Sequence, residues 1–314
     1  MSVGINIKKR RFELRMSQQE LAQAMGYKTR STIAKIESGE NDVSQKKLQR
    51  FAAVLDTTVE ALISDYGAAP AAVPAPVEKK EKIAVVILAG GKSGRNRQNI
   101  PSQFISVHGK PILVYSMDAY QAHPAVDDIY VVCLKGWEDI VKAYAGKFGI
   151  SKLRGVIPGG SSGIQSLKNA LTAIERRYGP EDVLIIQEAT RPMVSVELIS
   201  SLLQACWENG SATVCHSMDD YVQFDLADGK ASYLDRNAVI ALQSPEAHRM
   251  RLIREVFAKA REQALPLSES CCTMLMHRLG YPINFIRSSI NNIKITREED
   301  LAAFGAIVQN FAVR

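Results

Sequence analysis

Three regimes of hydrophobic patterning follow one another along the 314 residues. Up to Tyr66, apolar positions recur at helical spacing in short bursts divided by polar turns, which predicts five short helices. Leu21, Ala22 and Met25 form one stripe, opened by Ser17 with Glu20 three residues on and stopped at Gly26, the marks of a capping box and a glycine end. Thr29 to Glu37 forms another, with Ile33 and Ile36 inward, Arg30, Ser31, Thr32 and Lys35 on the other face, and Gly39 closing it. From Gly67 to Lys82 all periodicity stops. Alternating Ala and Pro, then Glu78-Lys79-Lys80-Glu81, favour an extended, hydrated chain and predict a semi-rigid tether.

From Ile83 onward, continuous apolar runs alternate with helical periods. Strands are expected at Ile83–Leu88, Ile129–Leu134, Val183–Gln187, Ala212–His216 and Ile283–Arg287, and helices at Trp137–Phe148, Gly163–Tyr178 and Val196–Glu208. Unbroken apolar strands alternating with helices predict an α/β architecture, a doubly wound, mostly parallel sheet with ligands beyond the strand C-termini. The expected domains are therefore a small all-α unit over 1–66, a linker over 67–82 and an α/β unit over 83–314.

Composition narrows the function classes without choosing among them. Hydrophobic content of 46% and charged content of 23% suit a globular protein, and a net charge of +6 permits a polyanionic partner without requiring one. The five cysteines form no C-x-x-C pair, so reduced thiols in a cytoplasm are expected rather than disulfides or structural zinc. Lys8-Lys9-Arg10-Arg11 is not followed by a signal-peptide core, and no apolar run reaches the length of a membrane span; neither export nor membrane insertion is expected.

The chemistry begins where the first strand stops on Ala89-Gly90-Gly91-Lys92-Ser93-Gly94-Arg95. Glycines let backbone amides approach a ligand and form an anion-binding nest, so the loop reads as a cradle for a nucleotide triphosphate. Its spacing is neither that of the dinucleotide fingerprint, which would need glycine at Arg95, nor that of the P-loop, whose first glycine is missing.

Met16-Ser17-Gln18-Gln19-Glu20-Leu21-Ala22 and Ser31-Thr32-Ile33-Ala34-Lys35-Ile36-Glu37-Ser38-Gly39 resemble the Cro/C1-type helix-turn-helix family over residues 5 to 63. The resemblance implies that Gln18 braces the fold against DNA and that Arg30, Ser31 and Lys35 meet bases. Lys8, Lys9, Arg10, Arg11 and Arg15 would then meet phosphates. It also implies a dimer, since one such unit binds a half-site.

The remainder, from Ile83 on, resembles the methylerythritol phosphate cytidylyltransferases, a family that includes the ribitol phosphate cytidylyltransferases. The motifs are Leu88-Ala89-Gly90-Gly91 with Arg95 and Pro101-Ser102-Gln103-Phe104; Gly109-Lys110-Pro111-Ile112-Leu113; Gly159-Gly160-Ser161-Ser162 with Ser166; Ala189-Thr190-Arg191-Pro192; Asp235-Arg236-Asn237 leading to Gln243-Ser244-Pro245; and Asn292-Ile293-Lys294-Ile295-Thr296. By resemblance the fold is of the nucleotide-diphospho-sugar transferase type. The reaction joins CTP to a polyol phosphate, 2-C-methyl-D-erythritol 4-phosphate or ribitol 5-phosphate, with Mg2+ on the triphosphate and pyrophosphate leaving. Arg95 and Lys294 would act at the reacting phosphates. Ala89, Gly90, Gly91, Gly160 and Ser166 would bind the nucleotide, and Glu188, Arg191, Arg236 and Ser244 the acceptor. No metal-ligand set is assigned. The family commonly forms homodimers through an arm, here within Asp219 to Asp235.

Departures from the family pattern open a second reading. Ser102 replaces a loop lysine, Glu188 an aspartate, Cys271 and Cys272 two acids, and Tyr221 a threonine used for the acceptor. The alternative is a transcriptional regulator whose transferase-like domain senses a nucleotide or sugar phosphate.

Overall fold

The structure, a computed structural model, describes residues 3–14, 16–27, 29–38, 41, 43, 45–59, 62, 81–91, 100–218, 222–225, 231–288 and 291–312. The chain separates into two compact units, Met1–Glu78 and Lys79–Arg314.

In the first unit the described helices include α1 (Val3–Glu13), α2 (Gln18–Ala24), α3 (Arg30–Glu37) and α4 (Gln45–Val54). The capping box expected at α2 is present: Ser17 Oγ accepts from the Glu20 N–H, and Glu20 accepts from the Ser17 N–H. Ile7, Leu21, Ile33, Phe51 and Leu55 from the helices and the turn after α4 close one apolar core.

Two basic residues expected on a phosphate-facing surface are turned inward. Arg11 is held by Glu37 through Nε at 2.7 Å and Nη2 at 2.9 Å, and its Nη1 donates to the Met16 carbonyl at 2.7 Å. Arg10 donates to the carbonyls of Leu55 and Asp56. Arg11 is buried and its guanidinium is taken up by acceptors inside the unit, so it is not a phosphate contact; Arg10 is half-buried against its two carbonyls. Lys8 is exposed, and Arg15 lies outside the described residues.

The second unit is built on a seven-stranded sheet. Its strands are β1 (Ile83–Ala89), β4 (Asp128–Cys133), β5 (Leu153–Pro158), β6 (Val183–Glu188), β7 (Ser211–Ser217), β10 (Ile240–Arg249) and β11 (Phe285–Arg287), in the order β11-β7-β10-β6-β1-β4-β5. All pairings are parallel except those of β10, which runs antiparallel to both β6 and β7. Side chains alternate across the sheet. Val85, Ile87, Val131 and Ile185 pack on α5 (Ile112–Ala122), α6 (Glu138–Phe148) and α8 (Val196–Asn209). Ala84, Val86, Val132, Leu184 and Ile186 pack on α7 (Gly163–Ile174), α9 (Met250–Glu262) and α10 (Cys272–Arg278). Burial on both faces explains the unbroken apolar runs, and the doubly wound expectation holds.

The strand β10 was not visible as a strand in the sequence. Pro245 lies inside it and cannot donate to a ladder; the pairing accommodates it with a register shift between Leu242 and Glu246. Two short hairpins complete the described unit: β2 (Ser106–Val107) with β3 (Lys110–Pro111), and β8 (Gln223–Asp225) with β9 (Ser232–Leu234). The second carries the T-shaped pair Phe224 and Tyr233, 54% and 58% exposed. A last helix, α11 (Glu298–Ala312), packs Leu301 and Phe304 against Ile105 and Ile112.

Candidate active site

Parallel strands β1, β4, β5 and β6 all end on one side of the sheet, and the loops beyond them form the site. Leaving β1, the chain passes through Gly90 and Gly91. The Gln103 amide fastens this turn by donating to the carbonyls of Ala89 at 2.6 Å and Gly91 at 3.1 Å. Gln103 is buried in the short 3-10 turn Ser102–Phe104, and Phe104 is seated by stacking on Trp137, centroids 4.1 Å apart. Sequence reasoning placed Gln103 in a motif without giving it a task; its task is to shape the loop. Ser102 is buried beside it. Arg95, with Lys92, Ser93 and Arg97, lies outside the described residues.

Beyond β5, the second glycine loop meets the first. A Cβ on Gly159 would sit 3.6 Å from both Gly90 Cα and Ser166 Oγ, so the two loops are in close contact. Ser166 Oγ, buried in the first turn of α7, accepts from the Gly160 N–H at 3.0 Å. A Cβ at Gly160 would come within 2.4 Å of Gln165 Cγ, leaving glycine as the residue that fits. Ser162 caps α7 by accepting from Gln165 N–H and donates to the Leu267 carbonyl. The five residues proposed for the nucleotide, Ala89, Gly90, Gly91, Gly160 and Ser166, are thus brought together.

The third part lies where β6 ends. Because β10 runs antiparallel beside β6, its early residues reach the same end, and Ser244 Oγ accepts from the Glu188 N–H at 3.1 Å. The Glu188 carboxylate takes Arg191 Nε at 2.9 Å on one oxygen and Lys294 Nζ on the other. Arg191 also donates to the Asn292 carbonyl at 2.8 Å, and the Ile295 N–H donates to the Thr190 carbonyl. These bonds bind the segment 292–295 to the end of β6, setting two cations and one carboxylate together with a net positive charge. Lys294 is 42% exposed at its side chain and Arg191 12%, so the lysine faces solvent while the arginine is packed.

Behind this cluster the Asn292 amide donates to the Ser244 carbonyl at 2.8 Å and to Gln243 Oε1 at 2.9 Å, and Ser288 Oγ donates to the same Gln243 oxygen at 2.6 Å. Asn292 Oδ1 is buried and without a partner among the described residues. Arg236, proposed for the acceptor, is exposed in the turn Arg236–Ala238 that follows the β8–β9 hairpin.

Cys271, at the cap of α10, has its thiol pushed up to about 11 by burial and then by the charges of Glu246 and Glu188. It stays protonated at neutral pH, and Cys272, fully buried, is raised further by burial and the same glutamate. Cys272 packs in the apolar cluster with α7 and α9. Glu246 caps α10, accepting from the Cys272 and Thr273 N–H groups at 2.9 and 2.8 Å.

In the first unit, Arg30, Ser31 and Lys35 are all exposed on α3, and Ser31 Oγ is hydrogen-bonded to Thr29 Oγ1. Gln18 donates to Glu37 Oε2 at 2.9 Å, which ties α2 to α3.

Residues 83–310 match the family model for 2-C-methyl-D-erythritol 4-phosphate cytidylyltransferase. The chain belongs to this cytidylyltransferase family. Residues 7–62 match the helix-turn-helix model, so the protein fuses a helix-turn-helix domain to a cytidylyltransferase domain. The curated relatives include the ribitol-5-phosphate cytidylyltransferase of Lacticaseibacillus paracasei, 31% identical, with 72% of this chain and 98% of the relative aligned. The enzyme of the same name from Vibrio parahaemolyticus is 32% identical over 71% of this chain and 94% of its own. Among solved structures, the 4-diphosphocytidyl-2C-methyl-D-erythritol synthase of Anaerococcus prevotii superposes with a TM-score of 0.62 at 22% identity. It covers 73% of this chain and 99% of the other, a likeness of fold.

Proposed function

We propose that this cytidylyltransferase joins CTP to ribitol 5-phosphate. An oxygen of the acceptor phosphate attacks the α-phosphorus of CTP, the new P–O bond forms, and the bond to the β-phosphate breaks to release pyrophosphate. The observation that carries the reading is the Glu188–Arg191–Lys294 cluster facing the end of β6 beside the two glycine loops. Charge builds on the oxygens around phosphorus as the reaction proceeds, and fixed cations stabilise it without reorganising. Arg191, held by Glu188 and the Asn292 carbonyl, suits a phosphate that must be oriented; Lys294, exposed on its segment, suits the reacting group. The choice of ribitol 5-phosphate over methylerythritol phosphate follows the names of the Lacticaseibacillus paracasei and Vibrio parahaemolyticus relatives.

Among the described residues no three of His, Cys, Asp and Glu gather into a metal-ligand set, and Glu188 is already shared by two cations. Glu188 is the carboxylate of this cluster that would meet a magnesium ion brought with the triphosphate, and the ion would supply charge neutralisation there. Arg30, Ser31 and Lys35, exposed on α3, support DNA binding by residues 1–66, and the exposed Phe224–Tyr233 pair supports a homodimer through the arm. Phe224→Asp would then shift the protein from dimer to monomer in sedimentation.

The test is magnesium-dependent pyrophosphate release from CTP with ribitol 5-phosphate, 2-C-methyl-D-erythritol 4-phosphate and other polyol phosphates. Lys294→Ala is expected to lower kcat by about 100- to 1000-fold. The buried Ser102, in place of the family's lysine, favours a second reading as a nucleotide-sensing regulator, and CTP binding without turnover on any acceptor would select it.

A further inference from the structure

The Gln243 amide has one end committed and the other open. Asn292 fixes the orientation. Its NH2 must face the Ser244 carbonyl, which can only accept, and the same NH2 reaches Gln243 at 2.9 Å, so Gln243 must present oxygen there. Ser288 Oγ donates to that oxygen as well, at 2.6 Å. With Oε1 clamped from two sides, Nε2 is forced the other way, and among the described residues it has no partner. Gln243 is half-buried, on the bulged stretch of β10 whose next residue, Ser244, binds the Glu188 backbone. On the same hydrogen-bonded amide pair, Asn292 Oδ1 is a buried acceptor without a partner. The open Nε2 is a neutral donor on a half-buried side chain, and it suits an accepting oxygen of a ligand. Arg191 and Lys294 supply cations for phosphate; the neutral amide suits a neutral oxygen.

We propose that Gln243 is a specificity residue for the acceptor, its NH2 donating to a hydroxyl of the polyol chain while Asn292 and Ser288 hold it in that orientation. This rests on the reading of the site as a polyol phosphate cytidylyltransferase. The discriminating substitution is Gln243→Glu. A carboxylate oxygen still accepts from Ser288 and Asn292, so the clamp and the fold survive, while the other end changes from a donor to an anion.

Titration calorimetry with ribitol 5-phosphate and with CTP, together with pyrophosphate-release kinetics, compares the full-length wild type and variant. The expected result is that Gln243→Glu raises the acceptor Kd and KM about 10- to 100-fold, the loss of one matched hydrogen bond to a ligand, with the CTP Kd unchanged. Gln243→Leu, which keeps the shape and loses both ends, gives a similar acceptor defect. Equal acceptor affinity in wild type and Gln243→Glu overturns the assignment while leaving the proposed function standing. A parallel loss of CTP affinity overturns it too, by revealing a general structural role. A wild type that binds CTP but neither binds nor turns over any polyol phosphate overturns the function itself, and this assignment with it.

Discussion

A single glutamate in α3 decides where Arg11 points. Glu37, 3% exposed at its side chain, takes both Arg11 and Gln18, so the last residue of α3 organises α1, α2 and α3 at once. Removing one partner of a buried pair strands the other charge, and Glu37→Ala is expected to cost the helix-turn-helix unit about 3–5 kcal/mol. Calorimetry should show the transition of this unit moving down or vanishing, with that of the transferase unit in place. The inward turn of Arg10 and Arg11 could not be read from Lys8-Lys9-Arg10-Arg11, because a run of charge says nothing about which acceptors the fold will bring to it. The Ser17–Glu20 capping box could be read, because both of its bonds lie within one turn of chain. Glu188 and Lys294 are far apart in sequence, and no spacing rule links them; they entered through resemblance, and their ion pair emerges only once the sheet is assembled.

At the scale of elements, the segment carrying Lys294 is pinned from its far side by Asp300. One carboxylate oxygen accepts from the Thr296 N–H at 2.8 Å, Thr296 Oγ1 at 3.0 Å and the Arg297 N–H at 2.8 Å. Burial pushes this carboxyl up, but the hydrogen bonds from Thr296 and Arg297 outweigh it and hold Asp300 below its usual value. A depressed folded pKa stabilises the fold fully above the ordinary aspartate range, and that contribution is lost as pH falls through the folded value. Asp300→Asn is expected to cost about 1 kcal/mol, a modest figure because the site is partly solvated, and to flatten the acid limb of stability against pH in denaturant titrations. The strands β1, β4 and β6 were legible because burial on both faces leaves an apolar run. The strand β10 was not, because Gln243-Ser244-Pro245 breaks its pattern at the point where it serves the site.

For the whole molecule, two separate cores imply separable functions. The apolar cluster of the helix-turn-helix unit and the two that flank the sheet share no residue. Deleting residues 1–66 is therefore expected to leave the Kd for CTP unchanged within about twofold in calorimetry, the tolerance of independent sites. A marked loss of CTP affinity would mean that the helix-turn-helix unit takes part in the nucleotide site.

The place of β10 in the sheet also sets a timetable for the chain as it is made. The strand β6, with its apolar Val183-Leu184-Ile185-Ile186, can pair with β1 on one side as soon as it emerges, but its other side waits for β10, which ends at Arg249. The ribosome must add about 60 more residues after Glu188, which at roughly 5–20 residues per second takes on the order of 3 to 12 seconds. During that interval the helix-turn-helix unit is already complete, whereas the nascent transferase presents an open, apolar strand edge. That interval is when a chaperone would engage the chain and when crowded synthesis would start its aggregation.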